Sequence, residues 1–337
     1  MISFLISIIK IIILLGLLIF IHELGHFTVA KLCKVRVNEF AIGFGPTIWK
    51  KQGKVTKYAL RLIPLGGFIS MEGEEERSEK SDSFSQASIP KRIAIVAAGA
   101  IVNIMFAIIL YFILIFNTGP YITNEIDSII EGYPAQEIGL QHGDKIIQIN
   151  EQKINNMYDL NKVLIKNTAE IKVKIERSKE IIEYKTIAKK ITEEGYTSYY
   201  LGVNLKPAED NLINRGVKGI IGTREFLFSI VESIKDLFTG KVGVDQMVGP
   251  VGISKVVAKT NGLEEFFQTM ALISLSLGVT NLLPIPALDG GKIVLLIIEA
   301  IRKKPLKQEV EINLQLIGFA VLIALSLYVT YNDIRGI

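Results

Sequence analysis

Cysteine and histidine are nearly missing from this chain. One cysteine, Cys33, among 337 residues excludes an internal disulfide and any cysteine-rich zinc module. The histidines are His22, His26 and His142, so a metal would have to be held by imidazole and carboxylate groups. Net charge is also scant, +4 from 38 basic and 34 acidic residues, and leaves no electrostatic footprint for nucleic acid. The first apolar run lacks a charged leader and a small-residue cleavage site, which predicts a retained segment and not a removed signal peptide. Apolar residues are what the chain has in excess. They make up 49% of it, with a mean hydropathy of +0.37. That is too apolar for an ordinary soluble enzyme and predicts several membrane spans with a polar domain.

Four spans are expected. The first runs over residues 2–31, with Lys10 and Lys31 about 31 Å apart at 1.5 Å per residue, close to a hydrocarbon core of about 30 Å. Those lysines are expected at its two boundaries. The second covers Ile93–Phe116 and the fourth Ile312–Val329. The third starts near Phe266, is broken by Pro284, Pro286, Gly290 and Gly291, and resumes over Ile293–Ile301. Twelve Lys/Arg lie in residues 31–92, and four more (Arg302, Lys303, Lys304, Lys307) in the short 302–311 connection. Basic short loops favour the cytoplasm, so both termini and the stretch 119–265 are expected outside it.

Inside the first span stands His22-Glu23-Leu24-Gly25-His26, the H-E-x-x-H pattern of zinc metalloproteases. On a helix, positions i and i+4 share a face, so two imidazoles can serve one metal, and Glu23 is placed as a general base toward water. Two imidazoles and a carboxylate are costly in hydrocarbon unless paired, metal-bound or facing water. A pair of core-facing histidines is the plain alternative. Three protein ligands are usual for catalytic zinc. His142 lies in the external stretch, whereas Asp289 interrupts the third span within Asn281-Leu-Leu-Pro-Ile-Pro-Ala-Leu-Asp-Gly-Gly291. A carboxylate at bilayer depth is a functional candidate. Capping the helix that resumes at Ile293 is its other reading.

Residues 35–70 alternate like strands and are rich in glycine. They predict a hairpin or small sheet beside the metal helix, with an edge able to take up an extended peptide. A hairpin that merely caps the bundle is the alternative, and the acidic run Glu72, Glu74, Glu75 and Glu76 is expected to be a solvated loop. Within 121–206, a turn at Gly132-Tyr133-Pro134-Ala135, a short helix over Ala135–Ile138 and strands at Lys145–Asn150, Ile171–Ile175 and Ile181–Thr186 have the spacing of a PDZ-like module. Residues 213–262 carry helical periodicity at Phe226, Leu227, Ile230, Ile234, Leu237 and Phe238, suited to a membrane surface. Gly249-Pro250-Val251-Gly252 is expected to make a tight turn.

Together, HELGH, GFGP, PLGGF, the PDZ-like insert and NLLPIPALDGG resemble the bacterial site-2 protease family, intramembrane zinc proteases of the RseP/RasP type. The resemblance covers nearly the whole chain. It implies Zn2+ held by His22, His26 and Asp289, Glu23 as general base, and Asn281 beside the substrate. It also implies transmembrane protein or peptide substrates, such as anti-sigma factors or signal-peptide remnants, and residence in the bacterial cytoplasmic membrane. Ala98-Gly99-Ala100-Ile101-Val102-Asn103 is similar to the family's Gly-Pro-x-x-Asn pattern, with Ala100 in place of proline. One PDZ-like insert is apparent, so the sigma-E role of two-PDZ members is not carried over.

The expected fold is therefore a multi-span α-helical membrane protein with four transmembrane helices, a membrane-associated β-hairpin or sheet loop and an inserted PDZ-like α+β domain. The divisions fall at 1–34, 35–92, 93–118, 119–210, 211–264, 265–302 and 303–337. The rivals to a protease are a catalytically inactive membrane adaptor and a metal or ion transporter. The first predicts loss of one of His22, Glu23, His26 or Asp289. The second needs no general base.

Overall fold

The computed structural model describes residues 2–74, 76–166, 170–193, 196–240 and 248–335. Glu75 lies outside the described residues, as do the side chains of Leu237 and Phe238. The chain divides into two compact units, one of residues 1–114 with 223–337, the other of residues 115–222.

The first unit opens with helix α1 (Ile2–Leu32). It is apolar all round, the pattern of a helix meeting lipid and protein on different faces. Leu5, Ile6, Ile9 and Ile13 are exposed, while Leu14 and Leu18, one turn apart, are fully buried. Two strands follow, β1 (Val37–Gln52) and β2 (Lys57–Met71). Their antiparallel register doubles back. Phe40 pairs with both Tyr58 and Ile69, and Ala41 with both Ala59 and Phe68. Residues 37–42 are thus central, flanked by the start and end of β2, and 47–52 pair with 57–61 on the far side. Residues 67–71 form one outer edge, pairing among the described residues only with 37–42. The tip exposes Phe44, Ile48, Trp49, Leu62 and Ile63. Ala30, Val35, Val37, Met71 and Ile95 form the apolar cluster that fixes this sheet to the helices.

Helix α2 (Ile89–Asn117) buries a face rich in small residues, including Ala98, Gly99, Ala100 and Ala107. Small residues let helix backbones approach closely, which is how helices associate where lipid removes the hydrophobic drive. A Cβ on Gly25 would meet the Ala98 carbonyl oxygen at 2.6 Å.

The second unit carries β3 (Ile122–Ile129), α3 (Pro134–Glu137), β4 (Lys145–Ile149), β5 (Gln152–Lys153), α4 (Met157–Lys166), β6 (Glu170–Arg177), β7 (Glu180–Ile187), β8 (Lys189–Glu193), β9 (Tyr196–Tyr200) and β10 (Val203–Pro207). The sheet runs β10-β3-β4-β6-β7, with β5 on β4 and β8 paired to β9 separately. Its core includes Ile126, Ile146, Ile149, Ile171, Val173 and Ile175, the inward set of a period-2 alternation. Asp144, almost wholly buried, accepts from Arg177 Nε and Nη2, both at 2.7 Å.

Helix α5 (Leu212–Phe238) runs from the second unit into the first. Where a tight turn was expected at 249–252, the structure has helix α6 (Pro250–Lys259). Proline fits its first position, and Asp333 supplies the missing cap, accepting from Gly249 N at 3.2 Å and Gly252 N at 2.7 Å. The expected third span is two helices, α7 (Gly262–Asn281) and α8 (Asp289–Arg302). The irregular segment between them is held by close glycines: a Cβ on Gly290 would meet Leu283 O at 2.2 Å, and one on Gly318 would meet Pro286 O at 2.3 Å. The last helix is α9 (Gln308–Arg335). Among the described residues, three helices are long and apolar enough to cross a membrane: Leu5–Leu32, Ile89–Asn117 and Gln308–Arg335. Lys10, expected at a boundary, gives its ammonium to Thr260 O at 2.7 Å and Thr260 Oγ1 at 3.2 Å.

Candidate metal centre

The uninterrupted helix α1 puts His22 and His26 on one face, a turn apart. Their Nε2 atoms lie 3.1 Å from each other. Asp289, first residue of α8, brings its Oδ2 to 3.2 Å from His22 Nε2 and 3.5 Å from His26 Nε2. The N-cap position of α8 belongs to Leu288, and no side chain caps it.

These three atoms suit a cation better than they suit one another. Two ligand atoms about 2.0–2.1 Å from a tetrahedral zinc stand roughly 3.3–3.4 Å apart, and the observed spacings of 3.1, 3.2 and 3.5 Å surround that value. Asp289 Oδ2 is buried and without a hydrogen-bond partner among the described residues. A carboxylate oxygen stripped of water and left with only two poorly aligned imidazole contacts is costly. A shared cation removes the cost. The imidazole–carboxylate–imidazole set is borderline-soft and suits zinc among the common divalent ions.

A ring nitrogen that offers a lone pair must leave its proton on the other nitrogen. In His26 this is arranged: Nδ1 donates to Ile95 O at 2.8 Å, leaving Nε2 free. Gly99 of α2 passes directly over the rings. A Cβ there would meet His26 Nε2 at 2.3 Å and His22 Nε2 at 2.8 Å.

The triad opens on a cavity of about 200 Å³ lined by Glu23, Phe68, Ile69, Met71, Glu74 and Lys292, with the three ligand candidates. Glu23 therefore faces the same space without joining the cluster of ligand atoms. The outer edge of β2 supplies Phe68, Ile69 and Met71. Glu74, expected in a solvated loop, instead binds Lys292 Nζ at 3.0 Å on the rim. Glu72 is also engaged, by Lys80 at 2.9 Å, Ser78 at 2.8 Å and Asn38 at 3.1 Å. Lys80, Ser78 and Asn38 hold its carboxyl down at about 2.

Of the residues marked in the sequence, His22, Glu23, His26 and Asp289 meet at this cavity. Asn281 ends α7 and is not among the lining residues. His142 lies in the other unit, its Nδ1 donating to Asp127 O at 2.7 Å. Sequence reasoning missed Lys292, Glu74 and the Ile95 carbonyl. Lys292 stands three residues after Asp289, on the same helical face, and that spacing was the available signal.

Comparison with known proteins gives the family. A protein of Clostridium acetobutylicum named "Putative zinc metalloprotease" is 36% identical over 323 residues, covering 95% of this chain and 94% of the relative. One of Clostridium perfringens with the same name is 35% identical, covering 94% and 95%. The "Regulator of sigma-W protease RasP" of Bacillus subtilis is 29% identical, covering 98% of each. The model of peptidase family M50 matches residues 10–325. With that match running from the first membrane helix into the last, and both halves of the ligand triad inside it, the chain belongs to peptidase family M50.

Proposed function

We propose that the protein is an intramembrane zinc endopeptidase that cuts membrane-protein substrates within or near their transmembrane segments. The observation that carries this reading is the convergence of His22, His26 and Asp289 within 3.5 Å, beside Glu23 and inside a membrane-length apolar helix. In this reading His22 Nε2, His26 Nε2 and Asp289 Oδ2 hold zinc. Zinc, when bound, supplies Lewis-acid chemistry, making water more acidic and polarising a carbonyl.

The remaining work falls to the chain. Glu23 takes a proton from the attacking water and returns it to the leaving amine. Residues 67–71 offer a strand edge along the same cavity. A substrate that unwinds there pairs its backbone with the sheet and presents one peptide bond to the site. Side-chain preference is then loose, because most of the binding is main chain. Asn281 serves the substrate beyond the cavity, at the point where α7 ends.

The broken α7–α8 segment counts as a fourth span in this reading, and residues 119–210 form the PDZ-like module on the extracytoplasmic side of a bacterial membrane. An adaptor has no use for an intact triad, and a transporter has none for a general base; the chain keeps both. The test is cleavage of a single-span substrate by the purified protein in detergent, with zinc measured in parallel. Glu23→Gln should abolish cleavage with zinc near one per chain, and Asp289→Asn should lose zinc and activity together. Comparable turnover by Glu23→Gln would sink the general-base role.

A further inference from the structure

We propose that Asn103 is a positioning residue that sets the tautomer of His22, its amide oxygen accepting the His22 Nδ1 proton whenever Nε2 ligates a metal. The inference rests on the metal reading of the triad and adds to it a residue outside the ligand set.

His26 has a proton acceptor for its outer nitrogen in Ile95 O. His22 needs one too. The group at its Nδ1 is the side chain of Asn103, with Nδ2 at 3.5 Å. Asn103 stands on α2 one turn beyond Gly99, so the same helical face that presses on both rings also presents this amide. The position is tightly made. Asn103 is 1% exposed, and its backbone oxygen accepts from Ser274 Oγ of α7 at 2.9 Å.

The amide is only half used. Asn103 Oδ1 is buried without a partner among the described residues. Its two ends have the same shape, and which is oxygen follows from the hydrogen-bond network. With the NH2 end toward His22, the amide donates to Nδ1, and His22 then carries its proton on Nε2, pointing at Asp289. That tautomer cannot ligate. A half-turn of the amide puts Oδ1 beside Nδ1, where it accepts the ring proton and frees Nε2. One side chain in two orientations thus matches two tautomers, one metal-free and one metal-ready. Packing alone would not call for asparagine in an apolar helix, since a buried amide costs free energy that leucine does not.

The experiment uses the full chain in detergent and reads zinc affinity by chelator competition, with melting of the zinc-free protein as a control. Asn103→Leu should weaken zinc binding about 10–100-fold, the usual cost of losing a group that orients a ligand, while Asn103→Asp, which keeps an acceptor at the same place, should stay within about threefold of wild type. Cooperative melting of each zinc-free variant shows that it is folded, so that zinc affinity alone is compared. Wild-type affinity in Asn103→Leu would overturn the inference. So would an Asn103→Asp as weak as Asn103→Leu, because loss of packing, not of an acceptor, would then explain both. A wild-type protein holding no stoichiometric zinc would overturn the metal reading itself, and this inference with it; normal wild-type zinc with an indifferent Asn103 overturns only the latter.

Discussion

A hydrogen atom is the whole side chain that α2 can present at Gly99. Alanine there would drive a methyl into His26 Nε2, 2.3 Å from its Cβ, and neither ring can retreat without leaving Asp289. Gly99→Ala should therefore lower zinc affinity about 10–100-fold, as displaced ligand geometry does, measured by chelator competition. In the other unit, Asp144 shows how charge is held. Burial pushes its carboxyl up, but the Arg177 guanidinium and the Gln141 N–H outweigh burial and hold it below the usual carboxylate range. A depressed folded value means that its contribution is present above the unfolded carboxylate pKa and fades as pH falls through the folded one. Protection of β4 and β6 amides from hydrogen exchange, taken relative to the intrinsic rate at each pH, should thus fall on acidification. Arg177→Ala leaves a buried charge unpaired, costs about 3 kcal/mol at neutral pH, and should reverse that slope, since acid then neutralises the orphan. Residues of this kind were unevenly legible in the sequence. His22, Glu23, His26 and Asp289 stood out because ionisable groups are rare in apolar runs. Gly99 was marked only by its place in the Gly-Pro-x-x-Asn-like run, and Ile95 not at all, because a backbone carbonyl leaves no chemical mark.

At the scale of elements, β2 is the informative one. Alternation revealed strands in residues 35–70, but not that β2 curls around β1 to pair with it twice. Pairing is set by three-dimensional register, which one strand's alternation does not contain. That register makes residues 67–71 an edge, whereas Phe40–Ile42 are enclosed on both sides. Ile69→Pro removes an N–H and fixes φ. Cleavage of a helical substrate should fall with zinc content unchanged, and normal cleavage together with indifference to helix-breaking residues in the substrate would count against strand addition. The α7–α8 break was foreseen from Pro284, Pro286, Gly290 and Gly291. Helix α6 was not, because its cap comes from Asp333, 81 residues beyond Gly252. Asp333→Ala should fray α6 and cost about 1 kcal/mol, seen as faster exchange of its first amides.

For the whole molecule, orientation is the open prediction. The basic loops 31–92 and 302–311 place it. A reporter that functions only outside the cytoplasm should be active when fused near Asn156 and silent near Glu75; the opposite pattern would invert the molecule. Composition conveyed the membrane character, and motif spacing the site. The division into units at 114/115 and 222/223 cuts through α2 and α5, and no change of composition marks a cut inside a helix. One consequence follows from the close approach of Gly99 to the imidazoles. With α2 seated on the rings, that flank is a sealed wall, and the cavity beside β2 and α8 remains as the doorway. Whatever occupies the doorway guards what lies behind it. A peptide analogue bound along β2 should slow the stripping of zinc by a bulky chelator in proportion to its occupancy, so substrate and chelator should behave as rivals for one passage.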